Sequence, residues 1–211
     1  MFSLHWLDLF GTIVFAISGA LTAGRKRLDL FGVLMIAAVT AVGGGTVRDV
    51  LLSRYPIFWF MDNTYLWLSV AAGIATMLYT RFFRPPRTSL VIADALGLST
   101  LTVINASIAT SYGLSPVILV IMTAFSSVAG GLIRDILCAE IPMILQRDIY
   151  ITAVCAGAIV YLVLRHLGLH EILYNTITMI TVMGLRVAAI YWDWHLPRYY
   201  VEEPQIRRPR G

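Results

Sequence analysis

The sequence predicts an all-α membrane protein in which seven transmembrane helices form a 3+3 inverted repeat followed by one extra C-terminal helix. Three observations lead to this fold class. Of the 211 residues, 58% are hydrophobic and only 13% are charged, whereas soluble domains carry roughly 25% charged residues. Seven stretches are apolar over the length of about 20 residues that a membrane-spanning helix needs. The first three stretches share a sequence pattern with the next three.

The seven predicted spans are separated by charged runs or turn residues, such as GRKRLD at 24–29 and RFFRPPR at 81–87. The spans are residues 4–23, 31–53, 58–80, 90–110, 114–138, 149–168 and 172–192. We expect one transmembrane domain over residues 1–196, in which repeat one covers 4–80, repeat two covers 90–168 and the seventh helix covers 172–192. Residues 197–211 are rich in arginine and proline, which predicts a basic cytoplasmic tail that rests on anionic membrane lipids.

The repeat is most evident in two segments that lie 86 residues apart. Residues 43–56 read GGGTVRDVLLSRYP, and residues 129–142 read AGGLIRDILCAEIP. Because each copy holds three spans, the second copy enters the membrane from the opposite side. Inverted repeats of this kind place sites near the bilayer midplane, so the duplicated motif is the candidate functional site.

The distribution of lysine and arginine predicts the orientation. With the N-terminus outside, only Arg54 and Arg165 lie on the outer side. The cytoplasmic side receives eleven basic residues: Arg25, Lys26, Arg27, Arg81, Arg84, Arg87, Arg147, Arg198, Arg207, Arg208 and Arg210. Since basic loops stay in the cytoplasm, we expect the N-terminus outside and the C-terminus inside a bacterial inner (plasma) membrane. Topology thus explains the net charge of +4, and no nucleic-acid partner is expected.

Seven charged residues fall within the spans or at their ends, and their depths predict two charge clusters. Each charge costs about 3 kcal/mol at the centre of a membrane helix, so we expect these side chains to be paired, hydrated or near an interface. The predicted outer cluster contains Asp8, Arg48 and Asp49, and the inner cluster contains Asp94, Arg134 and Asp135, joined by Arg186. Buried salt bridges that only fix helix register are an equal alternative.

The glycines and hydroxyls of the motif indicate a polar path. Consecutive glycines allow a helix to bend or unwind, and freed carbonyl oxygens that face water can replace the hydration shell of a cation. The predicted kink residues are Gly43, Gly44, Gly45, Gly130 and Gly131, and the predicted pore hydroxyls are Thr40, Thr123, Ser126 and Ser127. The alternatives are close helix packing for the glycines and hydrogen bonds to the own backbone for the hydroxyls.

On these residues the chain resembles the prokaryotic branch of the trimeric intracellular cation (TRIC) channels, whose domain is also labelled a glycine transporter. The resemblance is carried by GGGTVRD at 43–49 and AGGLIRD at 129–135, with DLFGT at 8–12 and DALGL at 94–98, and it covers nearly the whole chain except the tail. It implies a homotrimer in which each protomer holds its own potassium-permeable pore, lined by the kinked second and fifth spans. Potassium then passes transiently near Gly44 and Gly130, without a tight metal site. Ala129 replaces a glycine of the second motif, which predicts a shallower kink there.

Other functions were weighed against a channel. A secondary transporter of a small zwitterion such as glycine is the alternative, because inverted repeats with broken helices also suit alternating access. A retinal protein is excluded, since the only lysine, Lys26, lies in a loop. An enzyme is not expected, because the spans contain no nucleophile–base pair or metal-ligand cluster, and no cofactor is predicted.

Overall fold

The structure is a computed structural model that describes residues 2–86, 88–146, 149–192 and Trp194. The tail predicted at 197–211 lies outside these residues, as do Arg87 and Arg147 of the orientation argument. The described residues form nine helices: α1 (Phe2–Arg25), α2 (Leu30–Leu51), α3 (Phe58–Met61), α4 (Thr64–Phe82), α5 (Ser89–Ser111), α6 (Pro116–Leu137), α7 (Met143–Gln146), α8 (Ile151–His166) and α9 (Glu171–Tyr191).

Each of the seven predicted spans overlaps one of the longer helices of the described residues, in chain order. Five of them, α1, α2, α5, α6 and α9, are long and apolar enough by length and composition to cross a membrane. The third span differs from its prediction, because residues 58–61 form the separate helix α3 and α4 begins only at Thr64. Asp62 accounts for this break, since its Oδ1 accepts a hydrogen bond from the backbone N–H of Thr64 (3.0 Å). The protein is thus an all-helical membrane protein.

The order of helices is repeated along the chain. The helices α1 to α4 are long, long, short and long, and α5 to α8 follow the same order, so that α9 has no counterpart. The short helices α3 and α7 start 85 residues apart, at Phe58 and Met143. The motifs are related by an offset of 86, so the second copy is one residue shorter between its motif and its short helix.

The ends of α2 and α6 show the repeat at atomic detail. The N–H of Arg54 donates to the carbonyl oxygen of Asp49 (2.8 Å), and the N–H of Glu140 donates to that of Asp135 (2.9 Å). The residues before these donors, 53 and 139, both adopt a positive φ, 52° and 49°. These are the features of a Schellman motif, so both helices end in the same way and release the chain in the same local direction.

Four long helices form the centre of the protein. Helix α1 packs against α2, α4 and α5, while α5 packs against α1, α6, α8 and α9. Helices α2 and α6 pack directly on each other, and α9 lies against α5 and α8. Buried apolar residues fill these contacts in separate clusters, one of which includes Phe15, Ala37 and Leu101 and another Leu98 and Val182. The central helices α1, α2, α5 and α6 carry both glycine motifs and all the charged residues of the predicted clusters except Arg186, which lies on α9.

Candidate functional site

The two glycine motifs meet where α2 crosses α6. A Cβ atom on Gly44 would lie 2.7 Å from the carbonyl oxygen of Ser126, and one on Gly130 would lie 2.5 Å from that of Thr40. Only glycine fits at these positions, because side chains do not approach carbonyl oxygens so closely. Thr40 and Ser126 are repeat equivalents, so each motif glycine packs on the residue four positions before the other. This reciprocal pattern is that of two antiparallel helices related by a two-fold axis.

The flanking glycines make room for other groups. A Cβ on Gly43 would lie 3.3 Å from the Cα of Gly130, whereas one on Gly45 would collide with the Phe58 ring at 2.6 Å. Gly131 faces the hydroxyl of Tyr150, which would be 3.0 Å from an added Cβ. Helix α2 continues from Leu30 to Leu51 and α6 from Pro116 to Leu137 without interruption. The structure therefore shows close packing at the glycines rather than the local unwinding that the sequence permits.

The four predicted pore hydroxyls are all fully buried at this crossing. Thr40 and Ser126 donate to the backbone carbonyls one turn earlier in their own helices, at 2.6 and 2.7 Å. The hydroxyl of Ser127 accepts a hydrogen bond from Asn105 Nδ2 (3.0 Å). Thr123 has no hydrogen-bond partner among the described residues. The burial of all four shows that the crossing is closed to solvent in this conformation.

The second charge cluster consists of Asp94, Arg134, Asp135 and Arg186, and the structure brings all four together. Arg134 donates through Nη1 to Asp94 Oδ1 (2.9 Å) and through Nε to Asp135 Oδ1 (2.8 Å). Arg186 Nη2 lies 3.7 Å from Asp94 Oδ2, and its guanidinium lies over the ring of Tyr150 at 4.3 Å from the centroid. Two arginines thus balance two aspartates, which offsets the cost of removing these charges from water.

The first charge cluster, predicted to contain Asp8, Arg48 and Asp49, is assembled differently. Arg48 Nη2 lies 2.8 Å from Asp49 Oδ1, and Arg48 Nη1 donates to Asn105 Oδ1 (3.3 Å). Asp8 does not join this pair: within the described chain its carboxylate accepts a hydrogen bond from the Tyr65 hydroxyl (3.0 Å) and forms no ion pair. Asp8 and Arg48 nevertheless line the same cavity of about 150 Å³.

The aspartates of the two motifs fasten the loops that follow α2 and α6. The backbone N–H of Phe58 donates to Asp49 Oδ2 (3.0 Å), and that of Met143 donates to Asp135 Oδ2 (2.8 Å). In each motif one carboxylate oxygen binds the preceding arginine while the other caps the short helix α3 or α7. Because Arg48 and Arg134 also donate to residues of α5, each Arg-Asp pair joins its own helix, the short helix that follows and α5.

Several residues of the site were missed or given little weight in the sequence. Tyr65 and Tyr150 contact the equivalent aspartates Asp8 and Asp94, but they lie 85 rather than 86 residues apart, so a fixed offset does not pair them. Allowing one deletion after Pro142 would have revealed them. Ser18 accepts a hydrogen bond from Arg134 Nη1 (2.5 Å), and no sequence signal distinguishes this serine from other small residues of α1.

The family model described as "Glycine transporter" matches the chain twice, at residues 5–81 and 91–166. These two matches fall on the two predicted repeats. The chain is 40% identical over 211 residues to the UPF0126 inner membrane protein YadS of Escherichia coli, covering 95% of this chain and 98% of that protein. It is 39% identical over 199 residues to a UPF0126 membrane protein of Vibrio cholerae, covering 93% of this chain and 82% of that protein.

Solved structures of TRIC channels have a similar fold. The TRIC trimeric intracellular cation channel orthologue from Rhodobacter sphaeroides has a TM-score of 0.87 and 34% identity, and the match covers 92% of this chain and all (100%) of that chain. A prokaryotic TRIC channel determined in 0.5 M KCl has the same TM-score, 0.87, with 34% identity and coverage of 93% and 100%. The similar proteins are membrane proteins and channels rather than enzymes.

Proposed function

Because the chain belongs to the prokaryotic TRIC channel family, we propose that it is a potassium-permeable channel with one pore in each protomer. Its similarity to TRIC cation channels supports a cation channel. The proposed path rests on the residues described above, and the proposed trimer rests on the similar Rhodobacter sphaeroides channel.

The proposed pore follows α2 and α6 through their crossing. The observation that carries this proposal is the reciprocal packing of Gly44 on Ser126 and of Gly130 on Thr40. Glycine leaves these carbonyl oxygens uncovered by side chains, and carbonyl oxygens can replace the hydration shell of a cation. Conduction requires α2 and α6 to separate at the glycines, since the crossing is closed in this conformation. Potassium would then pass transiently near Gly44 and Gly130.

The Arg-Asp pairs are proposed to brace this crossing rather than to bind the ion. An arginine exposed in a pore repels cations, but Arg48 and Arg134 are fully buried and directed at aspartates. Asp49 and Asp135 also hold the loops beyond each helix. Each pair therefore fixes one end of a pore helix while the glycines leave the middle free to bend.

The overall arrangement is proposed to be a 3+3 inverted repeat with α9 appended, the N-terminus outside and the C-terminus in the cytoplasm. The antiparallel contact of α2 with α6 supports the inversion, and the basic loops support the orientation. We also propose a homotrimer, since the similar Rhodobacter sphaeroides protein is a trimeric channel. Membrane lipids would surround the assembly, whose helices expose many large apolar side chains such as Phe31, Trp67 and Ile180.

Recording from purified protein in planar bilayers under potassium, sodium and chloride gradients tests the proposal. We expect unitary currents whose reversal potential follows potassium. Gly44→Leu should abolish these currents, while the matched variant Gly184→Leu should retain them, because nothing lies within 4 Å of a Cβ at Gly184. A reversal potential that follows chloride, or the absence of unitary current from well-folded protein, contradicts the channel.

A zwitterion transporter is the second candidate, favoured by the description of the matching family model, "Glycine transporter". In this function the buried arginine and aspartate of a motif would bind the carboxylate and the ammonium group of the substrate. Uptake of glycine into proteoliposomes, without unitary currents in the bilayer, would support it over the channel.

A further inference from the structure

A groove runs between α1 and α4 and ends at the start of α5. Two adjoining cavities form it, with volumes of about 600 and 350 Å³. They share the lining residues Leu21, Pro85 and Ser89, so the two cavities are continuous. We call this feature the α1–α4 groove. Each volume falls within the roughly 300–1,000 Å³ that is usual for sites of organic ligands.

The narrower part of the groove is apolar. Its walls include Ile13 and Ile17 of α1 and Ala72, Ala75 and Thr76 of α4. The hydroxyl of Thr76 donates to the backbone carbonyl oxygen of Ala72 at 2.7 Å, so this polar group is already satisfied. Such walls offer a ligand apolar contact without a hydrogen-bonding partner, which suits a hydrocarbon chain.

The length of the groove matches one leaflet of a bilayer. Along α1 it extends from Ile13, in the middle of the helix, to Arg25, the last helical residue. At 1.5 Å per residue this distance is roughly 18 Å. The hydrocarbon core of a bilayer is about 30 Å thick, so the groove reaches from one membrane surface to the midplane. A single phospholipid covers the same depth.

The wider part of the groove, at the membrane surface, is polar and positively charged. Arg25 is exposed and lines it together with Ser89, the first residue of α5. The preceding residue, Thr88, makes no side-chain cap, and the first turn of α5 contains no acidic residue. The partial positive charge of this helix end is therefore not balanced by a carboxylate of its own turn. Among the described residues that line the groove, none is acidic.

We propose that the α1–α4 groove binds an anionic phospholipid of the cytoplasmic leaflet. Its phosphate lies between Arg25 and the N-terminus of α5, where the Ser89 hydroxyl and the helix dipole favour an anion, and one acyl chain lies between α1 and α4. The exposed residues Arg81 and Arg84 belong to the chain that leads from α4 to Pro85 and add positive charge at the same surface. Basic pockets between transmembrane helices on the cytoplasmic side bind anionic lipid headgroups.

The charge at the mouth distinguishes this lipid from the other occupants of an apolar groove. An apolar helix from a second copy of the chain would fill the narrow part but would place no negative charge against Arg25. A phospholipid without net charge would be held by the same walls but would gain less from the arginines. The site does not depend on whether the protein conducts ions.

Lipid binding is tested by the thermal unfolding of purified protein in detergent, with dioleoyl phosphatidylglycerol or dioleoyl phosphatidylcholine added at equal concentrations. We expect a saturable rise in the unfolding temperature at lower concentrations of phosphatidylglycerol than of phosphatidylcholine. Arg25→Gln should weaken the apparent affinity for phosphatidylglycerol about tenfold, the effect of losing a charge-assisted hydrogen bond. The matched variant Arg165→Gln, at an exposed arginine in the last turn of α8, should leave this affinity unchanged.

Two further variants fill the groove without altering a charged residue. Ala75→Phe narrows the apolar part at an exposed position of α4, and Gly24→Leu fills the mouth, where nothing lies within 4 Å of an added Cβ. Both should weaken the binding of both lipids. Gly184→Leu on α9 is the matched control, because its added Cβ also meets nothing within 4 Å, and it should leave lipid binding unchanged.

Several outcomes overturn the proposal. Equal stabilisation of the wild type by the two lipids, or by sodium phosphate without a lipid, removes the anionic phospholipid. Equal stabilisation of the wild type, Arg25→Gln and Ala75→Phe by phosphatidylglycerol removes the groove as the site. Native mass spectrometry should show that Ala75→Phe loses bound phosphatidylglycerol but keeps the oligomer of the wild type, whereas loss of the oligomer would assign the groove to a contact between copies. Bilayer recordings test the channel separately, since lipid binding without unitary current removes the channel but keeps the site.

Discussion

Arg134 Nη1 donates to Asp94 Oδ1 at 2.9 Å, and both side chains are completely buried between α5 and α6. The same arginine holds Asp135, so one guanidinium satisfies two carboxylates. Arg48, its repeat equivalent, pairs with a single carboxylate, that of Asp49. The two motifs share two glycines and the Arg-Asp pair, but their arginines pair with different numbers of carboxylates.

This difference predicts unequal effects of removing the two arginines. Arg134→Met leaves two buried carboxylates without their main partner and should lower the free energy of unfolding by about 3–5 kcal/mol. Arg48→Met should cost less, because Asp49 keeps the N–H of Phe58 and the nearby Arg54. The measurement is the thermal unfolding temperature of each purified variant in detergent.

A surface ion pair provides the control for these arginine variants. Lys26 and Glu140 are 2.7 Å apart, with 34% and 47% of their side chains exposed, and such pairs contribute about 0–1 kcal/mol. Lys26→Ala should therefore leave the unfolding temperature nearly unchanged. Equal losses for Arg134→Met, Arg48→Met and Lys26→Ala would show that burial of the pair does not set the effect.

The glycine crossing predicts a second set of stability changes. Gly130→Ala places a methyl group 2.5 Å from the carbonyl oxygen of Thr40, so α2 and α6 must move apart, at about 1–3 kcal/mol for overpacking. Gly44→Ala should behave in the same way, because its Cβ would meet Ser126 at 2.7 Å. Gly184→Ala on α9 meets nothing within 4 Å and should be neutral or slightly stabilising. Thermal unfolding of the three variants, measured side by side, checks this order.

The sequence predicts the helices and the repeat well, because both depend on patterns that run along the chain. Apolar stretches located seven helices, and the duplicated motif located the crossing. The break between α3 and α4 was missed, because residues 58–61 are apolar enough to begin a span, and the break depends on the Asp62 side chain, which accepts from the N–H of Thr64.

The atomic partners of the site could not be predicted from spacing alone. Asp8 and Arg48 line one cavity, but Asp8 accepts from Tyr65 and Arg48 donates to Asn105, and these partners depend on how four helices meet in space. The glycines illustrate the same limit. The missing Cβ permits both bending and close packing, and only the position of the facing helix decides which of the two the closed conformation uses.

The loop contacts of the motif aspartates predict local changes in hydrogen exchange. Asp135→Ala removes the acceptor for the N–H of Met143, so amides of α7 should exchange faster, while those of α3 stay protected. Asp49→Ala should give the reverse pattern, because Asp49 caps Phe58. Hydrogen exchange followed by mass spectrometry resolves the peptides over 53–61 and 139–146. Faster exchange in both loops from either variant would indicate global destabilisation instead of local capping.

The proposed inverted repeat predicts opposite exposure for two equivalent residues. Ser53 and Ala139 occupy the same position after α2 and α6, both exposed and both with a positive φ. In an inverted repeat they face opposite sides of the membrane, whereas in a parallel repeat they face the same side. Because both positions already tolerate a β-carbon in this conformation, cysteine can replace either residue without new backbone strain.

Labelling in intact cells with a membrane-impermeant maleimide distinguishes these arrangements. In a background where Cys138 and Cys155 are replaced by alanine, Ser53→Cys should react from outside, as the predicted orientation requires. Ala139→Cys should react only after the membrane is permeabilised. The unsubstituted background serves as the control for non-specific labelling. Reaction of both variants from outside would contradict the inversion, while the reverse pattern, with only Ala139→Cys reactive, would keep the inversion and overturn the orientation.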